Sequence, residues 1–268
     1  MGQTPTSNTG TYVYCVARAQ PCEKGGWPFT TPGIGGRAKA VRIVTYDDLA
    51  AVVSDAAQGD YDVTRENLLA HQRVITQAMT RSDVLPVSFG TVAESDQQVQ
   101  EQLLHGTADD LHQALEEVQG CIELELKVLW NEERLFAEIV AENDDIRALR
   151  DSLAGQPPEA TQYERIQLGE RVAAALQRKS EAEAASLLDA LEPLAVETRV
   201  NENQIDLMLL NAAFLVDKSQ EQAFDATVQA LGEGQAGRQI FQYVGPLPPY
   251  NFVDLELRWE EEPGGAAV

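Results

Sequence analysis

Three histidines, at positions 71, 105 and 112, and three cysteines, at 15, 22 and 121, are the side chains that could offer nitrogen or sulfur to a metal. His105 and His112 stand seven residues apart and could share a helix face, but zinc needs further ligands and none lies nearby. The cysteines are odd in number and form no CxxC pair, which argues against a disulfide framework as well as a zinc site. Cys15 lies inside an alternating apolar run and Cys121 opens another, so both read as small core residues. Acid–base chemistry would fall to carboxylates. The adjacent pairs Glu116-Glu117, Glu132-Glu133 and Asp144-Asp145 lie on faces expected to be solvated, whereas catalysis needs such groups converging in a pocket. No Walker, GxSxG or HExxH pattern occurs. Gly33-Ile34-Gly35-Gly36 opens no apolar helix and reads as a flexible loop. These residues predict no catalytic step, no bound metal and no cofactor.

The elements that would have to position any site divide the chain in two. Residues 1–10 are polar and read as a disordered leader rather than a secretory signal. Residues 12–17 alternate as a strand, and a Gly/Pro-rich loop over 21–36 carries Trp27 and Phe29. Strands over 40–44 and 50–54 flank the turn residues Tyr46-Asp47-Asp48. Thr64 caps a helix reaching about residue 81, with Leu68, Ile75 and Met79 on one face. A strand over 85–89 ends at Gly90. Ser95 with Gln98 then forms a capping box, and Leu111, Ala114, Leu115 and Val118 mark the next amphipathic helix. Residues 11–119 are thus expected to be a small α+β domain.

Beyond Gly120, apolar Ile122, Leu124, Leu126, Val128 and Trp130 alternate with Glu123, Glu125 and Lys127, the period of a strand with one buried face. Helices over 131–153 and on to 191 follow, then strands over 194–200 and 206–216, a helix over 219–231 and a strand over 239–244. That order is the split βαβ arrangement of a ferredoxin-like domain, over 120–245, with an enlarged helical crossover. The expected fold class is therefore α+β, with a Pro/aromatic segment and acidic tail over 246–268. The apolar third strand of that domain needs a cover on the face its helices leave open, from the first domain or from a partner.

Composition narrows the partners. With 43 Asp and Glu against 20 Lys and Arg, the net charge of −23 repels nucleic acid and anionic membrane surfaces. The longest apolar stretch, over 208–216, is interrupted by Asn211 and too short to cross a bilayer, so a cytoplasmic protein is expected.

Two segments remain that do not fit chemistry and do suit shaping a surface. One is Val84-Leu85-Pro86-Val87-Ser88-Phe89-Gly90-Thr91; the other is Gly245-Pro246-Leu247-Pro248-Pro249-Tyr250-Asn251-Phe252. Prolines at 246, 248 and 249 fix an extended path from which Tyr250 and Phe252 project. Such a segment is either a recognition element with aromatic anchors or a stiff clip for the C-terminal residues. Together the two segments resemble the gas vesicle protein GvpL/GvpF family, which carries an LPV.FGT-like segment in its first half and ends in a GP.PPY.F-like one. The resemblance runs from Tyr12-Val13-Tyr14 to Leu257. Ser88 stands where the family is associated with a basic residue, so no charge is carried over to it.

The resemblance implies an accessory or minor structural protein of gas vesicles. It would bind the major, very apolar shell protein and support vesicle assembly, with further gas vesicle proteins as partners. Protein-binding residues are expected at Leu85, Pro86, Phe89, Pro246, Pro248, Pro249, Tyr250 and Phe252. The rival readings are a small-molecule- or nucleotide-binding enzyme on a ferredoxin-like scaffold, and a plain homo-oligomeric scaffold.

Overall fold

β-Branched and aromatic residues at alternate positions produce β1 (Thr9–Arg18), the centre of a five-stranded sheet. The structure, a computed structural model, describes residues 9–19, 27–34, 40–57, 61–205, 207–253 and 255. The expected leader, apart from Thr9 and Gly10, lies outside these residues, as do Cys22, parts of the 21–36 loop and the acidic tail from 256 onward. The chain divides into two compact units, residues 1–123 with 246–268, and residues 124–245.

In the first unit, β2 (Val41–Tyr46) and β3 (Leu49–Ala57) form a hairpin whose two-residue turn holds Asp47 at φ 50°. β3 pairs antiparallel with β1 from Thr9↔Ala57 to Arg18↔Leu49. An irregularity between Val13 and Cys15 lets Tyr14 and Cys15 join the same core cluster despite being sequence neighbours. α1 (Arg65–Met79) starts at Thr64, whose side chain accepts from the Asn67 amide at 3.2 Å. Its buried stripe is His71, Val74, Ile75 and Ala78; Leu68 is exposed, so the apolar face is rotated from the one expected. β4 (Val84–Pro86) and β5 (Val92–Ala93) lie along the other side of β1, giving the order β2-β3-β1-β4 with β5 also on β1.

The capping box forms, with Ser95 Oγ accepting from the Gln98 amide at 3.2 Å and the Gln98 side chain accepting from the Glu94 amide at 2.8 Å. The short α2 (Asp96–Gln98) continues as a π-helical turn, Val99–His105, and α3 (Ala108–Glu117) follows. Val99, Leu103, Leu104, Leu111 and Leu115 share one core cluster with Val13, Val16 and Val53, while Tyr12, Tyr14, Val74, Ile75 and Ala78 form another. The Gly33 loop departs from its expected flexibility. Gly33 and Ile34 are buried, and a Cβ at Gly33 would stand 2.7 Å from both Ser54 Oγ and Tyr14 Oη. Only glycine allows the loop this approach.

In the second unit the helices are α4 (Glu132–Glu142), α5 (Asp144–Leu153), α6 (Gln162–Leu191) and α7 (Glu221–Gly234). The strands are β6 (Cys121–Trp130), β7 (Glu197–Val200), β8 (Met208–Asp217) and β9 (Gln239–Leu247), in the order β7-β8-β6-β9. The first and third strands in sequence, β6 and β8, are therefore the central pair. Phe214 on β8 packs on Phe224 of α7 at 5.0 Å between ring centroids, and Phe224 stacks on Tyr243 of β9 at 6.2 Å. Lys179 and Arg238 bind Glu138 and Glu183 in a partly buried network that joins α4, α6 and the start of β9. β6 keeps the expected alternation with one exception. Glu123, expected on the polar face, is fully buried. No helix among the described residues is long and apolar enough to cross a membrane.

Candidate functional site

The first signature segment is held on β1, and the second, from Pro246 onward, is gripped by Glu123 and leads into Val253 and Leu255 on the core cluster that contains Val13 and Val16 of β1, all in the first unit. The first enters as β4, pairing Val16 with Leu85 and Cys15 with Pro86, and Val87 adds a hydrogen bond to the Tyr14 carbonyl at 3.0 Å. Ser88, Phe89 and Gly90 then leave the ladder. The chain returns where Val13 donates to the Thr91 carbonyl at 3.0 Å, and β5 resumes the pairing at Tyr12↔Val92. Thr91 Oγ1 closes this excursion on the Ser88 carbonyl at 2.8 Å. Gly90 takes φ +88°, a region that favours glycine, and donates its amide to Tyr12 Oη at 2.9 Å. The residue types in this segment are thus explained by one looped-out turn on an otherwise regular strand.

Beneath the turn lies an aromatic cluster. Tyr12 contacts Tyr14, Tyr61, His71 and Phe89 at 4.8, 5.3, 5.7 and 6.4 Å between ring centroids. Tyr14 Oη meets Ser54 Oγ at 2.9 Å and accepts the Ile34 amide at 2.7 Å. Tyr12 Oη, which accepts from the Gly90 amide, also shares a hydrogen bond with His71 Nδ1, 3.0 Å away. His71 Nε2 is buried without a partner at full hydrogen-bond geometry. Burial holds the His71 pKa down at about 4, opposed only by the Val87 carbonyl.

The sign of this shift sets a pH dependence. A histidine held neutral stabilises the fold fully above its unfolded pKa near 6.5, and the contribution is lost as pH falls toward 4. The loss should reach about 1.5 kcal/mol by pH 5.5 and about 3 kcal/mol near pH 4. Urea unfolding of the intact protein and His71→Gln between pH 7.5 and 5.5, above the isoelectric point of about 4.4, should show a smaller decline in the variant. Parallel declines would remove His71 as the cause.

The second segment turns back on itself, with Tyr250 N–H bonding the Pro248 carbonyl at 2.7 Å and Phe252 N–H the Pro249 carbonyl at 3.1 Å. The buried carboxylate of Glu123 grips it, accepting from the Asn251 amide and from Asn251 Nδ2, each at 2.7 Å. Phe252 is 7% exposed, and Val253 and Leu255 pack against the core cluster that contains Leu85 and Val87. Tyr250 keeps 38% of its surface exposed. Burial, and then Cys15, Glu123 and Tyr12, push its phenol well above the usual range.

The eight expected binding residues therefore separate. Leu85, Pro86, Pro248, Pro249 and Phe252 are buried, whereas Pro246, Tyr250 and part of Phe89 reach the surface. Sequence reasoning passed over Tyr12, His71, Glu123 and Asn251. A histidine four residues before Ile75 and seven before Ala78, on the buried stripe of α1, was the available signal for His71. Elsewhere, His112 Nε2 lies 2.8 Å from Asp48 Oδ1 and His105 packs on Tyr46 at 4.8 Å, around an open cleft of about 520 Å³. No group of three or more metal-ligating side chains occurs among the described residues.

Comparison with known proteins adds a family. The profile described as "Gas vesicle synthesis protein GvpL/GvpF" matches residues 10–254. Gas vesicle protein F of Streptomyces sp. (strain CB03234) is 33% identical, over 91% of this chain and 99% of that protein. Gas vesicle protein F1 of Halobacterium salinarum is 27% identical, over 95% and 97%. Among solved structures, gas vesicle protein GvpF from Anabaena sp. PCC7120 matches with a TM-score of 0.81 at 25% identity, over 93% of this chain and all of that one.

Proposed function

The chain belongs to the GvpL/GvpF family of gas vesicle proteins, and from that premise we propose that it binds the major vesicle shell protein and supports vesicle assembly. It acts as an accessory or minor structural protein in the cytoplasm, at the vesicle, with further gas vesicle proteins as partners and no catalytic step of its own. The observation that carries this reading is the anchorage of the two signature segments in the first unit, one on β1 and the other on Glu123, which leaves Tyr250, Pro246 and the Phe89 turn at the surface. An aromatic ring set on a hydrogen-bonded turn and preceded by rigid prolines loses little entropy on binding. The acidic body keeps an apolar client in solution. The β7-β8-β6-β9 order supports a ferredoxin-like reading of the second unit, with α4, α5 and α6 as its enlarged crossover.

The test is co-expression with the major shell protein and capture on the tagged full chain. Intact protein should retain the shell protein, and Tyr250→Ala should weaken retention about thirtyfold, the effect of losing an anchor of roughly 2 kcal/mol. A folded intact protein that retains none would overturn the proposal.

A further inference from the structure

β9 forms one edge of the second sheet, pairing with β6 and with no other strand among the described residues. Its sequence, QIFQYVGPL, contains no charged residue in a chain that carries 63 Asp, Glu, Lys and Arg by the sum of 43 and 20. Ile240 and Val244, four residues apart and so on one face, are 54% and 51% exposed. The other face is fixed from behind. Phe241 lies against Gly232 of α7, and Tyr243 stacks on Phe224 and donates to Asp225 Oδ1 at 2.5 Å.

Other strands facing away from their sheets carry the usual protection. β7 is four residues long and holds a Glu197–Arg199 ion pair at 3.0 Å. β2 carries Arg42, paired with Asp55 and Asp96, and its Thr45 carbonyl is covered by Gln100 Nε2 at 2.8 Å. β4 and β5 are short and interrupted by the Phe89 turn. Among the described residues β9 has none of these devices before Gly245-Pro246, and alternate residues of an edge strand turn their N–H and C=O groups away from their single neighbour.

We propose that β9 is a strand-addition site, taking an extended apolar segment of a partner chain as a fifth strand beside it. Backbone hydrogen bonds supply the affinity, and Ile240 and Val244 set side-chain preference across the new pair. Charge selects the class of partner. A second copy of this chain brings another −23 against the first, whereas an uncharged edge is matched by a segment from a weakly charged, apolar protein. The proposal rests on the reading that the chain engages the vesicle shell protein, and names a second surface for it, apart from Tyr250.

The experiment uses the full chain captured with co-expressed major shell protein. Backbone amides over 239–245 should exchange at least tenfold more slowly in the complex than alone. Ile240→Lys with Val244→Lys, both at exposed side chains, should weaken capture at least tenfold at an unchanged unfolding midpoint. Gln242→Glu is a second variant, placing one charge at the exposed side chain between Ile240 and Val244; it should weaken capture too. Normal capture by both folded variants with unprotected β9 amides would overturn the strand-addition site while leaving shell binding intact. Absence of capture by the intact chain would overturn both readings together. Concentration-dependent dimers in sedimentation, abolished by the lysine pair, would assign the edge to a second copy and overturn the committed partner.

Discussion

Phe252→Ala should lower the unfolding free energy by about 3–5 kcal/mol, the usual cost of removing a buried phenylalanine ring. Tyr250→Ala, two residues earlier on the same turn, should cost about 1 kcal/mol. The contrast follows from placement. Phe252 is 7% exposed, and the residues after it, Val253 and Leu255, continue onto the Val13–Leu85–Val87 cluster, while Tyr250 leaves 38% of its surface in solvent. Urea midpoints and shell-protein capture measured on both variants separate the clip from the anchor. Phe252→Ala should lose stability and bind normally per folded molecule; Tyr250→Ala should lose only about 1 kcal/mol of stability but lose binding. Equal midpoints for the two would contradict the placement of Phe252. Normal capture by Tyr250→Ala would move the binding surface elsewhere, to the Phe89 turn or to β9.

Much of the fold was legible because local rules were obeyed. Thr64 and Ser95 cap their helices as their side chains require, and Asp47-Asp48 turns the β2–β3 hairpin. Ile122, Leu124, Leu126, Val128 and Trp130 are buried as a period of two demands. The same rule misassigned Glu123, because a carboxylate is placed in a core only by a partner distant in sequence. That partner is Asn251, 128 residues away. Tyr12 and His71, 59 residues apart, escaped notice for the same reason: each looks like an ordinary core residue until the other's ring nitrogen or hydroxyl is beside it. Gly33 read as loose because glycine alone does not reveal whether it is chosen for freedom or for close approach. The two signature segments were legible as segments, but which of their side chains face solvent depended on β1, which lies far from both in sequence.

Glu123→Ala should cost about 3 kcal/mol and free the C-terminal segment before the rest of the unit unfolds. Its two carboxylate oxygens accept from the main chain and side chain of one residue, so truncation removes this acceptor from the Asn251 amide and Nδ2 together at a part-buried site. Asn251→Ala removes only the side-chain donor and should cost about 1–2 kcal/mol, leaving the backbone donor in place. Because both substitutions break one shared contact, the double variant should fall short of the summed costs by about 1 kcal/mol or more. Glu123→Gln retains an acceptor oxygen but turns an NH₂ group toward one of the two donors, so it should recover only part of the loss. Urea midpoints for the three variants and the double mutant give the coupling directly. Limited proteolysis then locates it, since cleavage after the proline run should accelerate in Glu123→Ala under conditions where β1 and α1 stay protected. Strictly additive costs would show that the carboxylate and Asn251 act independently, and the hold on the C-terminal segment would then be credited to other contacts, those of Phe252, Val253 and Leu255 among them.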